Sequence, residues 1–305
     1  MDQVACVNLI PNWNLIAGPP LVGYILNTLF MGMLVVQVYY YYLCFPTDKI
    51  QYKILVYSML IIEIVQSALM GKDVYDNNVT LWASNKSWTT FGTTWFSFSI
   101  LCGVIATTVQ LVFANRLWIL SKSRILTGIV VFLAVAQGAA AVATGIKMKI
   151  VPAFLDQSAI FPYRTSWLVL SAADDIIIAT AMTYYLLKAK TGIKSTDAMI
   201  DRLVFLVIET GTATAVTAIL DIALFLGRNK TTLYGAAGAF LTKLYSNTLL
   251  VGLNNRAIAR KTRIFQTASD DTAVEDLKAS DVVHVRGFHN TDTTVDSIGM
   301  KEISV

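Results

Sequence analysis

The sequence predicts an all-α integral membrane protein: a bundle of seven transmembrane helices with the N-terminus outside and the C-terminus in the cytoplasm. Of the 305 residues, 55% are hydrophobic and only 14% are charged, whereas soluble domains carry about 25% charged residues. The mean hydropathy is +0.58. A soluble core of this size does not need so much apolar surface, so lipid is the expected solvent and the bilayer the expected partner.

Seven apolar stretches are long enough to cross a membrane. A hydrocarbon core about 30 Å thick requires about 20 residues at 1.5 Å of helix rise each. Polar residues divide the chain into spans over residues 18–42, 50–71, 94–120, 125–146, 165–189, 203–226 and 235–255. They form one transmembrane domain over residues 1–263.

Lysine and arginine near the span ends predict which side faces the cytoplasm. The first, third and fifth connections and the start of the tail contain thirteen such residues, while the opposite side contains seven. Cytoplasmic loops carry the excess of positive charge, so the N-terminus is expected outside and the C-terminus inside.

Three Asn-x-Ser/Thr triplets, at Asn78, Asn85 and Asn229, fall in predicted outside loops. This acceptor pattern is used on the lumenal side of secretory membranes, so the triplets agree with the charge asymmetry. The sequence therefore predicts a multi-pass glycoprotein of the plasma membrane or another membrane of the secretory pathway.

The C-terminal tail, residues 264–305, has a different composition, rich in Asp, Ser and Thr with scattered apolar residues. Such a segment cannot bury enough surface to fold alone. We expect a disordered cytoplasmic tail that can bind a cytoplasmic protein partner, and no motif in the chain predicts nucleic-acid binding.

Several kinds of catalytic site are absent from the sequence. Both histidines, His284 and His289, lie in the tail, so zinc sites built on helical histidines are excluded. The three cysteines, Cys6, Cys44 and Cys102, form no metal-binding pair and are expected to be free thiols. The Gly-x-Gly-Asp motif of intramembrane aspartyl proteases is missing as well. We therefore expect no enzyme activity, no metal and no cofactor.

The candidate site residues are the ionisable side chains inside the predicted spans. A charge at the bilayer centre costs about 2.5–3.5 kcal/mol on insertion scales, so these side chains are expected to face the bundle interior. Counted at 1.5 Å per residue, all but Glu209 lie in the outer half of the bundle, and Glu209 lies ~10 Å above the cytoplasmic face. The set is Glu63, Asp174, Asp175, Glu209, Asp221 and Lys243, with Asn247 beside them on the last span.

Two interpretations of these residues remain open. In the first, Lys243 pairs with Asp221 or Glu63, and the other polar groups hydrogen-bond between helices, so that the cluster fixes packing. In the second, they form a water-accessible outer pocket for a small-molecule or ion ligand, because carboxylates outnumber the single ammonium group.

Parts of the sequence resemble a group of seven-span basidiomycete fungal membrane proteins that is known only as a domain of unknown function. The matching residues are Gly18-Pro19 and Tyr39–Tyr41 in the first span, Asp175–Ala179 with Met182 in the fifth, Arg202-Leu203 and Glu209-Thr210-Gly211 in the sixth, and Lys243–Asn247 with Leu253–Arg256 in the last. The resemblance covers about residues 15–257. It implies seven helices and a fungal origin, and it implies no activity, ligand or site residue.

Two functions follow as hypotheses. The chain is expected to be a receptor-like sensor with a polar pocket built by Glu63, Asp175, Asp221 and Lys243. Alternatively, it is a small transporter or channel subunit that uses the same charges as a relay, and Glu209 would extend that relay inward. The absence of an inverted repeat in the sequence argues against transport. The sequence fits rhodopsin-like receptors poorly, because their motifs in spans three and seven are missing. It fits microbial rhodopsins poorly, because span three has no carboxylate counterion.

Overall fold

Long helices make up the part of the chain that the structure describes. The computed structural model describes residues 14–80, 92–151, 159–190, 192, 194–227 and 238–257, and no strand occurs among them. All of these residues belong to one compact unit, Met1–Ala257. The all-α prediction is confirmed for this part of the chain. The proposed tail and the predicted glycosylation sites Asn85 and Asn229 lie outside the described residues.

Seven long helices succeed one another among the residues that the structure describes. We label them α1 (Asn14–Cys44), α2 (Ile50–Tyr75), α3 (Leu101–Ser121), α4 (Arg124–Ile150), α5 (Phe161–Lys188), α6 (Lys194–Gly227) and α7 (residues 241–257). Two π-helical segments extend the second and third helices, Asp76–Thr80 after α2 and Trp95–Ile100 before α3. Several helices extend beyond the predicted spans, α6 by nine residues at its start.

Five of the helices are long and apolar enough to cross a membrane: Gly18–Cys44, Ile50–Thr80, Trp95–Ser121, Arg124–Ile150 and Phe161–Lys188. Their mean hydropathy over 18 residues lies between 1.3 and 2.2. The chain is therefore a membrane protein by the length and composition of these helices. The sixth and seventh spans, and the side on which each terminus lies, stay predictions.

The polar and apolar side chains are distributed as expected for a protein surrounded by lipid. Large apolar residues are exposed along the outside of the bundle, including Val36 at 67%, Phe132 at 71% and Ile129 at 45%. Conversely, amide, hydroxyl and charged side chains are buried between the helices. The hydrocarbon of a bilayer cannot hydrogen-bond to polar groups. Polar side chains of a membrane protein are therefore expected between the helices rather than on the lipid-facing surface.

Small residues allow close contact between neighbouring helices. A Cβ atom added to Gly103 of α3 would lie 2.5 Å from the Cβ atom of Ala141 in α4, and one added to Gly145 would lie 2.7 Å from the carbonyl oxygen of Trp95. Helix association in lipid depends on this close backbone approach. Ala141 and Gly145 therefore lie where α4 closely approaches α3 and the π-helical segment before it.

Helix α7 lies at the centre of the bundle. Nearly all of its side chains are buried, and it hydrogen-bonds to α1 through Asn247 and Asn254, which donate to the carbonyl oxygens of Phe30 and Gln37 at 3.2 and 3.0 Å. Its other contacts reach α2 and α5, described below. Because α7 is enclosed by other helices, most of its polar side chains bond within the protein, although the side-chain oxygens of Asn247 and Asn254 and the Asn255 amide nitrogen have no partner among the described residues.

Candidate functional site: buried carboxylates around the last helix

Glu63 of α2 and Lys243 of α7 form a buried ion pair. Both side chains are fully buried, at 0% exposure, and the Lys243 ammonium donates directly to the Glu63 carboxylate. The Ser246 hydroxyl, one turn later on α7, donates to the second carboxylate oxygen. The charge of each residue is thus matched by a partner, and both oxygens of Glu63 accept a hydrogen bond.

Gln66 extends this ion pair into a network. Its side-chain oxygen accepts from Lys243 Nζ at 3.0 Å and from the Thr242 hydroxyl at 2.9 Å, and its amide donates to the carbonyl oxygen of Ser97 at 3.1 Å. The network links α2, α7 and the π-helical segment before α3. Its donors and acceptors are all used, which is the condition under which a buried ion pair is tolerated.

Asp175 of α5 is the centre of a second network. The Tyr245 hydroxyl of α7 donates to one carboxylate oxygen, and the Gln110 amide of α3 donates to the other at 3.1 Å. The Ser171 hydroxyl lies 3.3 Å from the Tyr245 hydroxyl. Three helices are therefore joined at Asp175, which is stabilised by hydrogen bonds from neutral groups rather than by a cation.

Asp174, the preceding residue, has no hydrogen-bond partner among the described residues. Its side chain is 0% exposed, and both of its carboxylate oxygens lack a donor. Gln110, whose amide donates to the neighbouring Asp175, has a buried side-chain oxygen that also lacks a donor. A buried polar group without a hydrogen bond costs free energy, so Asp174 is the residue most in need of a functional explanation.

The remaining predicted site residues do not join these networks. Glu209 of α6 is exposed on the surface of the bundle, so the expectation that it faces the interior is wrong. Val207 and Gly211, two residues to either side, are buried; at 100° per residue Glu209 therefore points to the opposite face. Depth along the helix could not give this direction.

Of the two remaining candidate residues, Asn247 makes a helix contact and Asp221 is described only in its backbone. The Asn247 amide donates to the carbonyl oxygens of Lys243, at 2.7 Å, and Phe30, so Asn247 fastens α7 to α1. The backbone of Asp221 lies in α6, but its side chain is outside what the structure describes, so its suggested pairing with Lys243 stays a prediction.

Some residues of the networks were not singled out from the sequence. Gln110 and Ser171 are uncharged and stand alone in apolar stretches, so their types gave little signal. Helical periodicity could have found Ser171, since it precedes Asp175 by one turn and therefore shares its face. Among the described residues, no group of three or more His, Cys, Asp or Glu side chains could hold a metal ion.

A separate polar contact joins the start and the end of the bundle. Asp48, in the turn between α1 and α2, pairs with Arg256 at the end of α7 at 2.7 Å and accepts from the Tyr41 hydroxyl at 2.9 Å. The Arg256 guanidinium also lies 4.8 Å from the ring centres of Phe45 and Tyr52. Burial opposes ionisation of Asp48, but the hydrogen bonds from Arg256, Tyr41 and the Lys49 N–H outweigh it and lower the pKa of this carboxyl below its ordinary value.

The comparisons with known proteins identify part of the chain. Residues 171–258 match DUF6534, a family of unknown function. The match covers less than a third of the chain, yet it contains Asp174, Asp175, Lys243 and Tyr245. No curated protein and no solved structure matches the chain.

Proposed function

We propose that this chain is a seven-span membrane protein, N-terminus outside, that acts as a receptor-like sensor with its ligand site at Asp174. Helices α6 and α7 supply the sixth and seventh spans in this proposal. The orientation rests on the excess of Lys and Arg in the first, third and fifth connections and the tail. The ligand site rests on the buried carboxylate.

The observation that carries the proposal is the contrast between the two buried acidic sites. Glu63 has its charge and its hydrogen bonds satisfied by Lys243 and Ser246, so it needs nothing further. Asp174 is equally buried and has neither a cation nor a donor among the described residues. A bound ligand that contacts Asp174 would remove a cost that the free protein bears.

A path from this site to the opposite end of α7 is also present. Asp175, next to Asp174, is hydrogen-bonded to Tyr245 of α7. Arg256, eleven residues later and therefore ~16 Å along the helix, pairs with Asp48 and precedes the proposed tail by eight residues in the sequence. A ligand that shifts Asp175 and Tyr245 would act directly on the helix that leads into the tail, as a sensor requires.

The alternative is a proton relay in a small transporter or channel subunit. It is favoured by the series of hydrogen-bonding groups that runs from Asp175 through Tyr245 to Ser171. Its suggested inward extension through Glu209 loses support, because that side chain is exposed on the bundle surface.

The topology is tested by glycosylation. Asn78, Asn85 and Asn229 are each changed to Gln, alone and together, and the mobility of the protein is compared before and after endoglycosidase treatment. The proposal expects the native chain to shift and the triple variant not to shift. A new Asn-x-Thr triplet placed in the connection between α3 and α4 is the control and should stay unmodified; its modification would contradict the orientation.

The sensor is tested with a fluorescent label at Cys44, at the end of α1 beside the Asp48 contact. Cys6 is changed to Ser, and Cys102 is buried and thus protected from labelling. The labelled protein in lipid nanodiscs is exposed to a panel of soluble amines, carboxylates, sugars and inorganic salts. We expect at least one class to change the emission, and Asp174→Asn to abolish the change. Glu209→Gln, at an exposed carboxylate, is the control and should respond like the wild type.

The relay predicts a different result. In vesicles that contain a pH-sensitive dye, the wild-type protein would dissipate an imposed proton gradient faster than Asp174→Asn does. The sensor predicts equal rates for the two proteins. Faster dissipation by the wild type, without any ligand-dependent change at Cys44, would overturn the sensor in favour of the relay.

A further inference from the structure

We propose that the guanidinium groups of Arg116 and Arg256 bind a phosphate group, carried either by a lipid headgroup or by a soluble phosphate. Arg116 lies in the last turns of α3 and Arg256 at the end of α7, where the turn that contains Asp48 is also found. This site is separate from Asp174 and does not depend on the proposed sensor.

The two arginine side chains lie beside each other on the surface of α7. The Arg116 guanidinium rests against Gly252, since a Cβ atom added to this glycine would lie 2.7 Å from Arg116 Nη1. Gly252 precedes Arg256 by four residues, about one helical turn, so both positions lie on one face of α7. The two guanidinium groups are close enough to repel each other electrostatically. They therefore form one cationic site.

The guanidinium group of Arg116 has no anionic partner in the part of the chain that the structure describes. No carboxylate there lies within ion-pair distance of it, and its contact on its own helix is with the ring of Phe113, 5.7 Å from Arg116 Cζ. A guanidinium keeps its charge and has five N–H donors. Because the side chain is only partly buried, an anion from outside the protein can reach these donors.

The guanidinium group of Arg256 is held in a fixed position and still has donors to offer. Its Nη1 and Nη2 atoms donate to the two carboxylate oxygens of Asp48 at 3.4 and 2.7 Å, and the rings of Phe45 and Tyr52 each lie 4.8 Å away. Each of these nitrogens carries a second N–H group. With 37% of its side chain exposed, Arg256 is accessible as well as ordered.

The local charge favours an anion. Asp48 offsets the charge of Arg256 and leaves that of Arg116 without a counter-charge. Lys53 adds an ammonium group to the same turn, where it donates to the carbonyl oxygen of Pro46 at 2.6 Å. A bound anion would therefore relieve the repulsion between the two guanidinium groups.

A phosphate group matches two guanidinium groups better than a carboxylate does. Guanidinium groups bind both anions through pairs of parallel hydrogen bonds. A carboxylate has two oxygens, enough for one such pair, whereas a phosphate has further oxygens for a second donor group. The position at the ends of apolar, membrane-length helices is also the level at which phospholipid headgroups lie.

The site is tested with the full-length protein in micelles of dodecyl maltoside, a detergent without charge or phosphate. Thermal unfolding is followed while dioctanoyl phosphatidic acid is titrated, and dioctanoylglycerol, which has the same acyl chains and no phosphate, is the matched probe. We expect phosphatidic acid to raise the midpoint of unfolding in a saturable manner and dioctanoylglycerol to leave it unchanged. Sodium phosphate, compared with NaCl at equal ionic strength, distinguishes the two sources. Saturable stabilisation by sodium phosphate assigns the site to a soluble phosphate, and stabilisation by phosphatidic acid alone assigns it to a lipid headgroup.

Two variants and their matched controls locate the binding. Arg116→Gln should raise the dissociation constant for phosphatidic acid at least about tenfold, whereas Arg124→Gln, at an exposed arginine that begins α4, loses the same charge and should bind like the wild type. Gly252→Ala retains every charge but forces the Arg116 guanidinium to move, so the dissociation constant should rise about threefold to tenfold. Gly128→Ala, whose Cβ atom would meet nothing within 4 Å, should bind like the wild type.

Three results would overturn the site. The first is the absence of saturable stabilisation of the wild type by either phosphate probe. The second is equal weakening by Arg116→Gln and Arg124→Gln, which would reduce the binding to a general attraction by surface charge. The third is undiminished binding by Gly252→Ala, since the guanidinium group that rests on Gly252 would then take no part. Reduced stability of a variant is separated from weakened binding, because binding is read from the dependence on probe concentration.

Discussion

Replacing Lys243 with Met tests whether the buried ion pair holds α2 against α7. Methionine has a similar length and no charge. The substitution removes the donor to Glu63 and to the Gln66 oxygen, and it leaves the Glu63 carboxylate buried at 0% exposure without a cation. The change therefore affects one side of a matched pair.

The expected loss is large, because an uncompensated charge remains in the interior. Removing one partner of a buried ion pair costs about 3–5 kcal/mol of stability. The double variant Glu63→Gln/Lys243→Met leaves no charge behind. It should therefore be more stable than Lys243→Met alone, with a coupling energy of about 2–3 kcal/mol between the two positions.

The assay is reversible unfolding in mixed micelles, followed by circular dichroism, with the wild type, both single variants and the double variant forming a complete cycle. Lys190→Met is the control, since Lys190 pairs with Asp201 at 2.6 Å on the surface, where the two side chains are 33% and 57% exposed. Partly exposed pairs contribute about 0–1 kcal/mol, so this variant should unfold close to the wild type.

The cycle can refute this account. If Lys243→Met lost no more stability than Lys190→Met, the pair would not act as a buried ionic contact. If the double variant showed the summed losses of the two single variants, Glu63 and Lys243 would contribute independently. The claim that Lys243 neutralises Glu63 would then be wrong.

Two further predictions concern the Asp48 contact and the helix spacing. Asp48→Asn should cost about 1 kcal/mol at neutral pH; because the folded-state pKa of Asp48 is lowered, its contribution is present above about pH 4 and is lost as the pH falls further. Unfolding of both proteins across this range checks it, and a constant difference at acidic pH would contradict the ion pair with Arg256. Gly103→Ala should destabilise by about 1–3 kcal/mol, because its new Cβ atom would lie 2.5 Å from that of Ala141. Gly32→Ala, whose Cβ atom would meet nothing within 4 Å, is its matched control and should be neutral or slightly stabilising, so equal effects would contradict the close contact.

Much of the helical architecture could be predicted from the sequence. Apolar runs of about 20 residues have few stable conformations in lipid other than a helix, so the positions of five membrane-length helices follow from length and hydropathy. The ends of these helices were harder to predict. Helix α2 extends past the expected end at residue 71, because Asp73 is buried and accepts hydrogen bonds from Thr93 and Thr94. Only the returning chain supplies those partners.

The candidate site was predicted by residue type but not by pairing. The cost of a charge in lipid correctly indicated an interior position for Glu63, Asp174, Asp175 and Lys243. It could not indicate that Glu63 would have a cation and Asp174 would have none. The same cost gave the wrong position for Glu209, because the depth of a residue along a helix does not determine the direction of its side chain around that helix.

The sequence by itself determined that this chain is a helical membrane protein and which side chains are costly to place in lipid. Both properties depend on local composition and on the fixed rise of a helix. The tertiary structure alone decided which helices meet, and hence that Lys243 reaches Glu63 across 180 residues of chain while Asp174 keeps two unused oxygens. A hydrogen bond is made or lost within about 1 Å, a precision that only the packed arrangement of several helices can set.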